Sequence, residues 1–167
     1  LKGRPYFYFT WGAAVSEALI DINTGESRIL QADIIEDCGR SLNEAIDIGQ
    51  IQGGFVQGLG WLTCEELFFN NEGKLLTIGP STYKIPGSRD VPAKFNVKLL
   101  ENTFNEEKTI FRSKAVGEPP ILLAISHFLA LKNAVKMAFD KSDPSNMNAP
   151  VTPTELLKSI YHNKHVN

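Results

Sequence analysis

Ser41-Leu42-Asn43-Glu44-Ala45-Ile46-Asp47-Ile48-Gly49-Gln50-Ile51-Gln52-Gly53-Gly54-Phe55-Val56-Gln57-Gly58-Leu59-Gly60 is the stretch that governs the architecture. Ser41 and Glu44 stand at the spacing of a capping box, a hydroxyl for the first free N–H groups and a carboxylate to reach back, so a helix is expected to start here. That helix must carry five glycines in the twelve positions 49–60, each costing about 1 kcal/mol relative to alanine. It can persist only if packing against a neighbour offsets the loss.

Working outward, residues 5–22 alternate bulky and small side chains, Asn23-Thr24-Gly25-Glu26 supplies a turn, and Arg28-Ile29-Leu30 with Ala32-Asp33-Ile34-Ile35 reads as a returning strand, hence a β-hairpin. Beyond the helix, Cys64-Glu65-Glu66-Leu67-Phe68-Phe69, the turn Asn70-Asn71-Glu72-Gly73 and Lys74-Leu75-Leu76-Thr77 suggest a second hairpin. The stretch 79–92 holds three prolines and two glycines without a sustained period and is read as a long ordered loop, a type of segment that is often functional. Phe95-Asn96-Val97-Lys98-Leu99 alternates as a half-buried strand, and Thr109-Ile110-Phe111 is a short candidate, so a sheet of five or six strands is expected.

From Pro119 to about Phe139 the apolar residues Ile121, Ile125, Phe128, Leu131, Val135 and Ala138 recur at steps of three and four, the strongest helix signal in the chain. After the polar stretch 143–150, Thr152-Pro153-Thr154-Glu155 repeats the capping signature and predicts a short helix over about 154–162. Strands precede helices in blocks without regular βαβ alternation and no internal repeat is found. The fold class is therefore α+β, a hairpin-rich mixed sheet with two main helices and a short C-terminal helix, in a single domain or fragment over 1–167.

The chain has 17 Lys+Arg against 19 Asp+Glu, a net charge of −2, and no basic stripe, which speaks against nucleic acid as a partner. No uninterrupted apolar run approaches the roughly 20 residues of a bilayer span, so no membrane partner is expected either. Residues 1–5 do not begin a signal peptide, and the absence of Met at Leu1 suggests a fragment. Cys38 and Cys64 lack partners at zinc or iron–sulfur spacing and are read as reduced thiols of a cytoplasmic protein.

The segment most suggestive of chemistry is Ser113-Lys114-Ala115-Val116-Gly117-Glu118-Pro119-Pro120. A carboxylate at the start of a helix sits at the positive end of its dipole and would be held ionised, as a base must be. Gly117 leaves room for a bulky ligand, and the two prolines stiffen the first turn. Glu118 is equally a plain helix cap, and spacing alone does not separate the two. In the glycine-rich stretch Gln50, Gln52 and Gln57 can donate to and accept from a heterocycle or phosphate, although the glycines also fit simple close packing. There is no P-loop, no Rossmann order of strand, glycine turn and helix, and no Gly-x-Ser-x-Gly elbow. His127, His162 and His165 have no acidic or nucleophilic neighbour at ligand spacing and are read as structural or solvated, so no metal ligand is assigned.

Taken together, Tyr8-Phe9-Thr10-Trp11-Gly12-Ala13-Ala14-Val15-Ser16-Glu17, Asp47-Ile48-Gly49-Gln50, Phe55-Val56-Gln57-Gly58-Leu59-Gly60, Gly79-Pro80-Ser81-Thr82-Tyr83-Lys84-Ile85-Pro86 and Gly117-Glu118-Pro119-Pro120 resemble, in order, the xanthine dehydrogenase and aldehyde oxidase family. The resemblance covers about residues 3–140 and corresponds to the C-terminal part of that family's molybdenum-cofactor region. It implies that Glu118 is the general base acting on a molybdenum-bound hydroxyl, and that Gln50 and Gly117 contact molybdopterin. Pro119-Pro120 resembles the xanthine dehydrogenases more than the animal aldehyde oxidases, which implies a purine substrate, hypoxanthine or xanthine, oxidised to urate. An aldehyde or other N-heterocycle hydroxylase is the alternative, and a non-catalytic assembly module a further one. The resemblance also implies 2Fe-2S and FAD outside this chain, partners in the remaining parts or subunits, an oligomeric complete enzyme, and no turnover by this chain alone.

Overall fold

The computed structural model describes residues 3–139 and 142–161. Its elements are β1 (Gly12–Ile20), β2 (Ser27–Glu36), α1 (Glu44–Thr63), β3 (Lys94–Leu99), α2 (Ile125–Ala138) and α3 (Pro153–Tyr161), with short 3-10 helices at Ile110–Arg112 and Pro119–Ala124. The α+β class and the mixed sheet are as expected. The sheet, however, has three strands in the order β1-β2-β3, where five or six were expected.

β1 and β2 form the expected antiparallel hairpin, while residues 5–11 stay outside the strand. The register shifts between Glu17 and Ala18, which pair with Gln31 and Ile29. The extra residue, Leu30, reverses the inward parity of β2, so Ile29 is buried before the bulge and Ala32, Ile34 and Glu36 after it. On β1 the inward positions are small, including Ala14, Ser16 and Ala18, which lets α2 approach until the Ser16 and Ser126 hydroxyls hydrogen-bond at 2.7 Å. β3 runs parallel to β2, turning Phe95, Val97 and Leu99 into the core.

All three helices lie on this side of the sheet or beside it. Ile51, Phe55 and Leu59 of α1 pack on Ile29, Ala32 and Ile34, and Phe55 meets Phe95 with ring centroids 5.4 Å apart. A second cluster, Leu131, Val135, Met147, Val151, Leu156 and Ile160, joins α2 to α3. Thr152 caps α3 by accepting from the Glu155 N–H, as predicted.

Four local expectations are corrected. Asn43, not Ser41, caps α1 by accepting from the Ile46 N–H, while the Ser41 hydroxyl donates to Asp47. The second hairpin shrinks to one bridge, Phe69 with Leu75, because Leu67, Phe68 and Phe69 are exposed and find no layer to pack on. The candidate strand at Thr109 is a turn with Phe111 and Arg112 at φ 51° and 63°, held by the Arg112 guanidinium donating to the carbonyls of Asn105, Glu106 and Glu107. The strongest helix opens with six residues of 3-10 geometry, since Pro119 and Pro120 bring no N–H to the first turn. Pro119–Ala138 has the length and mean apolarity of a membrane span, although Ser126, His127, Lys132, Asn133 and Lys136 interrupt the run. Its buried side chains Pro120, Ala124, His127, Leu131 and Val135 form one stripe that faces α1, the sheet and α3.

Candidate functional site

The segment bearing Glu118 is fastened to the end of β2. After Glu36 the chain continues through Asp37, Cys38 and Gly39, and Gly39 adopts φ +62°, a left-handed value favoured by glycine. A side chain there would also sit 2.6 Å from the Arg112 carbonyl. This close approach lets Gly39 bridge Ser113, the Arg40 N–H donate to the Arg112 carbonyl, and the Lys114 N–H donate to the Cys38 carbonyl at 2.8 Å. The Lys114 ammonium folds back onto Asp37 at 2.5 Å, with the two side chains only 10% and 3% exposed. The Asp37 carboxylate also accepts from the Gly39 N–H. The Ala115 N–H then donates to the Tyr8 hydroxyl at 3.1 Å, and the chain reaches Gly117 and Glu118 before Pro119 opens the 3-10 turn.

α1 supplies the other wall. A side chain at Gly54 would lie 3.1 Å from the Gly117 carbonyl, and one at Gly58 would lie 2.4 Å from the Ile121 carbonyl. These two glycines form the seam through which α1 and the Glu118 turn touch backbone to backbone. Alongside the seam, Ile46, Gln50, Gly53, Gln57 and Trp61 recur at steps of three and four on one exposed face. The Gln50 amide oxygen is 3.9 Å from where a Gly117 side chain would begin, so Gln50 and Gly117 are neighbours. Gln52 lies on another face of the helix, apart from Gln50 and Gln57.

Glu118 itself is exposed and at φ −90°, ψ −38° its side chain makes no capping hydrogen bond. The expected helix cap is therefore not formed, and the turn that follows is 3-10 rather than the start of a long α-helix. Nor does Glu118 enter a structural salt bridge, the observation that would have favoured an assembly module; the ion pairs among the described residues are Arg4–Glu107 and Lys114–Asp37. Three grooves lie elsewhere, one under the 79–85 loop, one along Arg40, Ser41 and Leu100, and one on the outer face of the sheet.

Charge behind this wall is set by burial. Burial opposes ionisation of Asp37, but the Lys114 and Gly39 hydrogen bonds outweigh it and hold the carboxyl below the usual range. Next to it Glu36 is pushed up to about 7, first by burial and then by the Asp37 charge. Its carboxylate lies over Gly12, where a side chain would meet it at once. Burial also pushes the Cys38 thiol up, with the Asp47 charge adding to it, so neither it nor Cys64, raised likewise by burial, is a ready thiolate. His127 is buried and held down to about 4 by burial, and His162 and His165 lie outside the described residues. Asp37 and Lys114 were not singled out from sequence, because 77 residues separate them and neither lies in a recognisable spacing.

No group of three or more His, Cys, Asp or Glu side chains suited to a metal occurs among the described residues. What the wall offers is a neutral amide at Gln50, backbone left bare at Gly49, Gly53 and Gly117, and a carboxylate at Glu118. A side chain at Gly49 or Gly53 would have nothing within 4 Å. This donor set fits the organic part of a pterin cofactor, whose ring edge needs paired donors and acceptors and close approach, better than it fits a bare metal ion.

Fold and wall together define an α+β layer whose exposed face carries the Gln50 amide, bare glycine backbone and the Glu118 carboxylate. Residues 1–92 match the molybdopterin cofactor-binding domain, and the chain belongs to that family, the cofactor-binding part of molybdenum oxidoreductases. It is 48% identical over 158 residues to a xanthine dehydrogenase/oxidase of Gallus gallus, covering 93% of this chain and 12% of the relative. It is 47% identical over 170 residues to xanthine dehydrogenase 2 of Arabidopsis thaliana, covering 96% of this chain and 12% of the relative. Among solved structures, quinoline 2-oxidoreductase from Pseudomonas putida 86 superposes with a TM-score of 0.71 at 28% identity, over 84% of this chain and 17% of that one. The Cu,Mo-CO dehydrogenase shares the fold, with a TM-score of 0.76 at 22% identity, over 92% of this chain and 18% of that one. The chain thus spans about 12% of the length of the curated relatives it matches.

Proposed function

We propose that this chain forms the base-bearing wall of a xanthine dehydrogenase-type molybdenum hydroxylase that converts hypoxanthine and xanthine to urate. The observation that carries the reading is the exposed, unbonded Glu118 carboxylate on a backbone fastened at both sides, beside Gly117 and Gln50. When bound, the molybdenum cofactor supplies the oxygen and accepts the electron pair. Gln50 holds its organic part through the amide, and Gly117 keeps the approach open. Glu118 takes up the proton at a carboxylate oxygen as the new carbon–oxygen bond forms on the electron-poor purine carbon. Fixing that acceptor in advance converts an encounter into a positioned transfer.

The complete enzyme is cytoplasmic and oligomeric in this reading, with 2Fe-2S and FAD groups outside the chain carrying the electrons away. The 47–48% identity to xanthine dehydrogenases supports the purine substrate. The likeness to quinoline 2-oxidoreductase supports the alternative, hydroxylation of another N-heterocycle with the same base. A substrate profile of the complete enzyme separates the two.

The decisive experiment is Glu118→Gln in the complete enzyme, which keeps the shape and removes the base. Xanthine turnover is expected to fall by about 10²–10⁴ with molybdenum content unchanged. Turnover near normal would remove Glu118 from the chemistry.

A further inference from the structure

We infer that the buried Asp37–Lys114 pair is the positioning device for Glu118, an inference that rests on the reading of Glu118 as the base. Glu118 has no side-chain hydrogen bond of its own, so its placement is inherited from the backbone on either side. On the C-terminal side that backbone is pinned by Pro120 against Gly54, and immediately before Glu118 by the Gly117 carbonyl on the same Gly54 seam and the Ala115 N–H on Tyr8. Further back, the side-chain pin is Lys114, four residues before Glu118, which reaches into the protein rather than out to solvent.

The pair has the marks of a clamp. Its partners are 10% and 3% exposed, whereas Arg4–Glu107 is 59% and 35% exposed and can come and go with little effect. One Asp37 oxygen accepts from Lys114 and the other from the Gly39 N–H, so a single carboxylate ties the Glu118 segment to the left-handed turn ending β2. The backbone between the same stretches is bonded as well, Lys114 to Cys38 and Arg40 to Arg112. A buried ion losing its partner cannot be left in place, so loss of either side chain lets the 113–118 stretch shift. A shift of about 1 Å at a catalytic group costs on the order of 10²-fold in rate.

The test is made in the complete enzyme with Asp37→Asn and with the double change Asp37→Asn, Lys114→Met, which removes both charges and leaves no lone buried ion. Turnover of xanthine is expected to fall about 10–100-fold through kcat in both, with KM and molybdenum content little changed; the unfolding temperature falls in Asp37→Asn and stays near normal in the charge-free double change. Lys114→Arg, which keeps the charge, is expected to recover most of the loss. Amide hydrogen exchange over 115–118 should quicken while α3 is unaffected, which a general loss of stability would not produce. Placing Asp37→Asn in the Glu118→Gln background should cost nothing further, because a residue acting only through Glu118 has no effect once the base is gone. Full additivity of the two losses, or normal kcat in the charge-free pair, overturns the positioning role. Normal turnover by Glu118→Gln alone overturns the base assignment instead.

Discussion

Glu36 and His127 show burial acting on opposite charges within one core. Glu36 is pushed from 4.5 up to about 7, so the folded protein holds that proton more tightly than the unfolded chain. The stability tied to it is present below about pH 4.5 and is lost as pH rises through about 7. His127 is held from 6.5 down to about 4, so its contribution is present above pH 6.5 and is lost as pH falls through 4. Glu36→Gln is expected to stabilise by about 1–3 kcal/mol at pH 8 and by little at pH 5, read from thermal unfolding at the two values. His127→Leu should flatten the decline between pH 6.5 and 4 and leave the alkaline side as it was. Neither residue was readable as special from sequence. An alternation read from the buried Ile29 points Glu36 outward, and only the bulge at Leu30 resets the parity that turns it in. Glu118 and Gln50 were readable, because they lie in short contiguous motifs, whereas Asp37 and Lys114 acquire meaning only when a distant turn brings them together.

The helices were the best-read elements, since their periodicity and capping are local properties. α1 ran nearly where its glycine stretch placed it, with its cap at Asn43 rather than Ser41, and α3 kept its Thr152 cap. Strands were read less well, because a strand exists only if a partner arrives. The arms beside Asn70 had the right turn and no layer to lie on. Within α1 the glycines divide by what they face. Gly58→Ala sets a methyl 2.4 Å from the Ile121 carbonyl and 2.7 Å from Ala124, and neither can yield. A loss of about 1–3 kcal/mol in chemical denaturation is expected. Gly53→Ala meets nothing within 4 Å and should gain about 0.5–1 kcal/mol by the same measurement. Equal penalties at both sites would contradict the seam.

At the scale of the molecule, 11610 Å² of surface is exposed, against about 8200 Å² for a compact monomer of 18.5 kDa. Many large apolar side chains lie exposed among the described residues. Tyr6, Phe9 and Trp11 are 65–70% exposed and stack on one another with centroids 6.2 Å apart, while Val15, Leu19 and Ile35 crowd the open face of the sheet. Surfaces of this kind are normally covered. Expressed alone, the chain is expected to bind a hydrophobic dye strongly and to elute as aggregates in gel filtration, whereas a clean monomer without dye binding would mean that these faces tolerate water. The sequence carried the aromatic residues but not their exposure, which depends on where the sheet ends.

The 77-residue separation of Asp37 from Lys114 also dictates a sequence of events in the making of the molecule. The β1–β2 hairpin and α1 are built from near neighbours and can assemble as soon as they emerge during synthesis. β3 must cross a long loop to pair with β2, and Lys114 arrives later still, so the end of β2 keeps its charge in water until then. The wall that carries Glu118 therefore closes well after the hairpin and α1, and a nascent chain passes through a period in which that framework stands while its reactive edge is still unset.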